Sequence, residues 1–261
     1  LRKATRKSGL KVATVAPFTS AGSRKMNARV LHAAPGAEPG VVDAIAAGGA
    51  HADLAEALSG GIVLVGERAA RVPGLLSAVV ALAERTGARL AWVPRRAGDR
   101  AAIEAGLLPG LAPFGRTIDE AGAADLGWGE LPERGLDAEQ MIEAAAAGEL
   151  KALVVGGVDV RDFDDPGAVR AALDEVPFLV SLEVRASEIT DRADVVLPVA
   201  PAVEKNGTFI NWEGRLRPFG QARSATSLTD RDVLVRLTEE FDGDLGITAL
   251  ADLYAEVNPL M

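Results

Sequence analysis

The feature that most constrains this chain is a repeated grammar: short apolar runs end in glycine and lead into helical patterns. GIVLVG (61–66) reads as a buried strand closing on Gly66. A helix is expected from about Pro73 to Thr86, with Leu75, Leu76, Val79, Val80 and Ala83 on one face. Gly87 ends it, and ARLAWVP supplies the next strand. The grammar returns at ALVVGG (152–157), which ends in Gly156 and Gly157. Asp165–Pro166 then opens a helix as a cap followed by an N1 proline, running to about Glu175. FLVSLEV and ADVVLPV supply further strands. Strands alternating with helices build parallel sheets, because parallel neighbours need a crossover long enough to hold a helix. The expected class is therefore α/β, with a doubly wound, mostly parallel, Rossmann-like sheet. The two strand–glycine–helix–strand units are expected as neighbours in one sheet, their glycine loops on the same edge.

The rest of the chain is read around this repeat. KVATVAPF and PGVVDAIAAG predict a strand and a helix, and residues 1–50 are read as the end of a preceding α/β domain. Residues 51–200 form the Rossmann-like domain, and 201–261 a hairpin and C-terminal helical segment returning to the first domain. The stretch RRAGDRAAIEAGLLPGLAPFGR lacks a sustained period, and the acidic IDEAGAADLGWGELPERGLDAEQ reads as an extended surface loop. It leads into a helix opened by a capping box, Asp137 with Gln140. At the N-terminus, Arg2/Arg6 and Lys3/Lys7 are spaced i,i+4 with Gly9 placed as a C-terminal cap. The chain thus starts inside an αβ unit, and it is expected to be part of a longer polypeptide.

Composition excludes several function classes. The 261 residues carry a formal charge of −9, against the basic surface that phosphate contacts require, so no nucleic-acid partner is expected. No apolar run is long enough to span a bilayer, so no direct membrane insertion is expected. The N-terminal stretch is charged and lacks the apolar centre of a signal peptide. These residues contain no cysteine, which removes thiolate nucleophiles, disulfides and cysteine-ligated clusters from them. His32 and His51 stand in no ligand-like spacing, so no metal site is expected.

The loops after the strand-end glycines, GERAAR and VDVRDF, match neither the dinucleotide fingerprint nor a P-loop. Asp162, Asp164 and Asp165 cluster ahead of a helix, where capping and turn chemistry explains them. No catalytic residue is expected. The richest polar stretch is EKNGTFINWEGR (204–215). Asn206–Gly207 is a hairpin signal, and Glu213–Gly214 offers a second turn. Glu204, Asn211, Glu213 and Arg215 could converge at one sheet edge, either as a working site or as structural hydrogen bonding.

The order of these motifs is more specific than any one of them. Ala193-Asp194-Val195-Val196-Leu197-Pro198, then Glu204, then Gly207-Thr208, Asn211 and Glu213-Gly214-Arg215 resembles the A-D-V-V-L-P…E…G-T…N-x-E-G-R signature of the molybdopterin oxidoreductase superfamily. LVVGGVD is similar to the family's strand-and-glycine segment, and AIEAGLLPGLAPFGR resembles a segment of one branch, the G subunits of proton-pumping NADH–quinone oxidoreductase (the respiratory complex I type). The chain departs from cofactor-binding members at two loops. Gly157-Val158-Asp159-Val160 stands where they carry Gly-x-Asn-Pro, and Glu188-Ile189-Thr190 stands where they carry Glu-Thr-Ala.

The resemblance implies a cofactor-free scaffold in the peripheral arm of an electron-transport translocase. Its partners would be other peripheral-arm subunits, on the cytoplasmic side of the cell membrane. Iron–sulfur clusters would then lie in a region upstream, and no cofactor in these residues. Gly66, Gly156, Gly157, Asp159, Glu204, Gly207, Asn211, Glu213 and Arg215 would be remnants of the pterin pocket. The alternative is a fragment of a molybdenum-dependent formate or nitrate oxidoreductase, in which Glu204, Asn211 and Arg215 contact a pterin dinucleotide.

Overall fold

The computed structural model describes residues 1–119, 122, 124, 126 and 134–258. Within the acidic stretch expected to be a surface loop, residues 120, 121, 123, 125 and 127–133 lie outside the described residues. The chain divides into two units, Leu1–Asp99 with Asn211–Arg215, and Arg100–Ile210 with Leu216–Met261.

The first unit runs α1 (Arg2–Lys7), β1 (Ala13–Ala16), α2 (Ala21–Lys25), β2 (Arg29–His32), α3 (Glu38–Ala47), α4 (Ala52–Ala57), β3 (Ile62–Gly66), α5 (Leu75–Thr86) and β4 (Arg89–Val93). β1 pairs with β2 and β3 with β4, both parallel, and a helix lies within each connection. The core joins Val42 and Ile45 of α3, Val65 of β3 and Leu75, Ala78, Val79 and Leu82 of α5. The buried stripe of α5 therefore differs from the expected one: Leu76 and Val80 are exposed, while Ala78 and Leu82 face inward. At 100° per residue, positions 75, 78, 79 and 82 share one stripe, and 76 and 80 fall outside it.

The second unit contains α6 (Asp99–Glu104), an antiparallel pair of β5 (Leu111–Ala112) and β6 (Arg116–Thr117), then α7 (Ala138–Ala146), β7 (Leu153–Gly156), α8 (Pro166–Asp174), β8 (Leu179–Glu183) and β9 (Val195–Pro198). It ends with the β10 (Gly207–Ile210) and β11 (Leu216–Phe219) hairpin, α9 (Asp230–Glu240) and α10 (Leu250–Val257). The expected caps form: Asp137 and Gln140 make a capping box on α7, and Asp165 accepts from the N–H groups of Gly167 and Ala168 on α8.

β7, β8 and β9 make a parallel sheet in that order. Period two splits its side chains between the faces. Leu153, Val155 and Leu179 meet Ile142 of α7 and Val169 and Leu173 of α8. Val180, Leu182 and Leu197 meet Val233 of α9. Helices on both faces make this unit doubly wound, and the α/β, mostly parallel class holds. The two strand–glycine–helix–strand units are not neighbours in one sheet, however. Among the described residues β3–β4 and β7–β8–β9 are separate hydrogen-bonded sheets.

The hairpin also differs from expectation in where it turns. The register Gly207↔Phe219 through Ile210↔Leu216 places the turn at Asn211–Arg215, and Asn206–Gly207 lies at the open end. Gly214 supplies the left-handed residue, at φ 79. Asn211 closes the turn with its side chain, whose Oδ1 accepts from the N–H groups of Glu213 (3.1 Å) and Arg215 (2.9 Å). The ladder is prolonged by Asn206, whose Oδ1 accepts from the Gln221 N–H at 2.8 Å.

Candidate functional site

In an α/β sheet, ligands sit in the crevice outside the carboxyl ends of the strands. In the second unit that crevice lies beyond β7 and β8. It is a cavity of about 460 Å³ walled by residues 157–161, 183 and 185–189. The chain enters it over Gly157, whose φ of 62 would strain a residue with a Cβ. The Gly157 N–H donates to the Leu182 carbonyl at 3.2 Å and holds the loop against the end of β8.

The polar groups of this crevice are turned on one another. Arg161 donates to Asp159 through Nε (3.0 Å) and Nη2 (2.6 Å), and its N–H also donates to Asp159 Oδ1 (3.0 Å). That donation, above all from the side chain, holds the Asp159 carboxyl far below the usual carboxylate range. Arg170 of α8 donates to Glu188 on the facing loop through Nε (2.5 Å) and Nη2 (3.1 Å) and lowers its pKa in the same way. Both guanidiniums are raised in return. Arg192 donates to the Glu188 carbonyl (2.9 Å) and to Asp174 (2.7 Å). Ser187 and Thr190 close a local turn: Thr190 Oγ1 donates to the Ser187 carbonyl and accepts from the Ser187 N–H.

Between these pairs the crevice is floored by aliphatic side chains. Val160 and Ile189, each 2% exposed, share one cluster with Val169, Leu173 and Leu179. The loops after β7 and β8 thus meet in the same patch of core.

A second cavity of about 1140 Å³ lies between the hairpin, α10 and the start of α9. Glu204, 6% exposed, lies in its wall. Its Oε2 accepts from the Thr226 N–H (3.0 Å) and hydroxyl (3.2 Å), and Arg223 stands 3.9 Å from its Oε1. Lys205 pairs with Asp230, and the Thr208 and Tyr254 hydroxyls share a hydrogen bond of 2.6 Å. Gly207 lies under the Phe219 ring, which would come within 2.6 Å of an added Cβ.

The nine candidate residues are therefore distributed. Gly156, Gly157 and Asp159 gather at the first crevice, and Glu204 and Gly207 at the second cavity. Asn211, Glu213 and Arg215 gather in the hairpin turn, where Arg215 stands 3.4 Å from Glu213. Gly66 ends β3 in the first unit, with open space where a Cβ would stand. Sequence reasoning missed Arg161, Arg170 and Thr226. The Asp-x-Arg spacing signals the first, whereas the other two partners lie 18 and 22 residues from the carboxylates they bond. Among the described residues no three His, Asp or Glu side chains are grouped to hold a metal, and no helix is long and apolar enough to cross a membrane.

Comparison with known proteins places this geometry. The G subunit of NADH-quinone oxidoreductase from Mycobacterium bovis is 49% identical over 257 residues, covering 95% of this chain and 32% of its own length. The corresponding G subunit from Streptomyces coelicolor is 47% identical over 278 residues, covering 100% of this chain and 33% of its own length. The alpha subunit of the NADPH-Fe(3+) oxidoreductase from Geobacter sulfurreducens is 34% identical over 158 residues, covering 59% of this chain and 18% of its own length. The chain thus spans about a third of the length of the two G subunits it matches. The sequence profile of the molybdopterin oxidoreductase family matches residues 1–229, through both units and the hairpin. The chain belongs to the molybdopterin oxidoreductase family.

Proposed function

We propose that this chain is a scaffold part of the G subunit of a proton-pumping NADH–quinone oxidoreductase, in which the family's pterin crevice has become a structural joint. One observation carries the reading: Val160 and Ile189 are buried together in a single aliphatic cluster. They occupy the two loops that depart from the Gly-x-Asn-Pro and Glu-Thr-Ala of cofactor-binding members, Ile189 standing where those carry a Thr. A pterin dinucleotide needs hydrogen-bonding groups there, and burying it against these side chains would leave its polar edge unpaired. The carboxylates nearby, Asp159 and Glu188, are already bonded to Arg161 and Arg170. The residues present do not fit the cofactor, and no reaction step is derived through it.

The scaffold would seat and orient the cluster-bearing part of the same subunit among the other peripheral-arm subunits, on the cytoplasmic face of the membrane. Electrons would pass by without entering these residues, which offer no thiolate to hold a relay cluster. The test is metal and pterin analysis of the assembled complex carrying the full-length subunit. The expected result is iron without molybdenum or tungsten. Stoichiometric molybdenum or tungsten with a releasable pterin would sink the scaffold reading and favour a molybdenum oxidoreductase.

A further inference from the structure

Parallel strands are joined by crossovers that lay helices on the sheet, so both faces of a parallel pair are normally apolar and covered. In the first unit β3 follows this rule on one side, whereas Leu90, set beside Val63 on β4, stands 45% exposed. Val63 and Val65 pack into the cluster formed with α3 and α5. Period two sends Ile62 and Leu64 to the other side. There they stand 51% and 46% exposed. The register sets Ala91 beside Leu64, so the apolar face continues onto β4, and Arg89 beside Ile62 is its charged end.

An aliphatic face with its charge at one end has the composition of a core cut in half, as in permanent interfaces. The G subunits that match this chain are about three times as long as the matched part.

We propose that the outer face of β3–β4 is an intrachain seat, covered in the longer polypeptide by an amphipathic helix from outside residues 1–261. That helix carries aliphatic side chains at i, i+3, i+4 and i+7 toward Ile62, Leu64 and Ala91, with an acidic group near Arg89. The proposal rests on the reading that this chain is one part of such a polypeptide.

The test uses the full-length subunit in its assembled complex. A diazirine analogue of leucine at position 64 is irradiated, and the cross-linked peptides are sequenced by mass spectrometry. The expected product joins position 64 to a helical peptide of the same polypeptide outside these 261 residues. A product with a different subunit, or water adducts alone, overturns the proposal. A second measurement compares maleimide labelling of Leu64→Cys with that of Glu84→Cys, which lies on the exposed side of α5. Labelling at position 64 is expected to be slower by about tenfold or more, because it requires local opening of the covered face. Equal rates overturn the proposal. The molybdenum content of the same preparation tests the functional reading separately, since a seat for the helix and a loaded pterin crevice can each exist without the other.

Discussion

Gly207 and Glu204 show how single positions in the family signature are held for structural reasons. Gly207 faces Phe219 across the hairpin, and Phe219 stacks on Phe209 with ring centroids 5.0 Å apart. The ring covers the glycine, so the space a side chain needs is taken. Gly207→Val is expected to destabilise the hairpin by about 1–3 kcal/mol through overpacking, read as a lower urea midpoint. Gly207 lacks a positive φ, so an unchanged midpoint would show that the ring swings away freely. Glu204 is buried and accepts two hydrogen bonds from Thr226. Glu204→Leu leaves that N–H and hydroxyl without their acceptor, at a cost of about 1–3 kcal/mol. Glu204→Gln keeps an acceptor and should cost less, a difference that thermal unfolding of the two variants would expose.

At the scale of elements, α8 and the crevice it borders depend on carboxylates. Asp165 satisfies two N–H groups in the first turn of α8, each at 2.9 Å. Asp165→Ala is expected to cost about 0.5–2 kcal/mol, seen as faster amide exchange in the first turn of that helix. The Arg170–Glu188 pair ties the same helix to the loop after β8. Glu188 is held below its ordinary pKa of 4.5, first of all by the hydrogen bond from Arg170. A depressed folded-state value stabilises the folded chain above the ordinary pKa, and the contribution is lost as pH falls through the lower value. Stability should therefore decline as acidification passes below the ordinary Glu188 pKa of 4.5, and Glu188→Gln should flatten that decline. Because the pair is partly exposed, high salt should flatten it as well. A decline equally steep in Glu188→Gln would assign it to other carboxylates.

For the whole molecule, the scaffold reading separates assembly from turnover. Ile189→Thr puts a hydroxyl into the cluster beneath the crevice and should cost about 1–3 kcal/mol, lowering the yield of assembled complex. Arg215→Ala removes an exposed guanidinium 3.4 Å from Glu213 in the hairpin turn. It should leave NADH oxidation per assembled complex nearly unchanged. A large loss of turnover in fully assembled Arg215→Ala complex would argue for a working site at the turn.

The sequence by itself determined the α/β class, the strand-end glycines, the caps at Asp137 and Asp165 and the turn at Glu213–Gly214. Each is a local matter: a period of two or 3.6, or a side chain reaching an N–H two to four residues away. It misplaced the hairpin turn at Asn206–Gly207, because a dipeptide signals a turn without knowing which strand will be its partner. Only the tertiary structure decided the rest. Phe219 covers Gly207 through strand register, and Thr226 satisfies Glu204 from 22 residues away. Val160 and Ile189 fall into one cluster because β7 and β8 are adjacent, which brings the loops at their ends together. Register and strand order fix which side chains meet, and no local period in the chain encodes them.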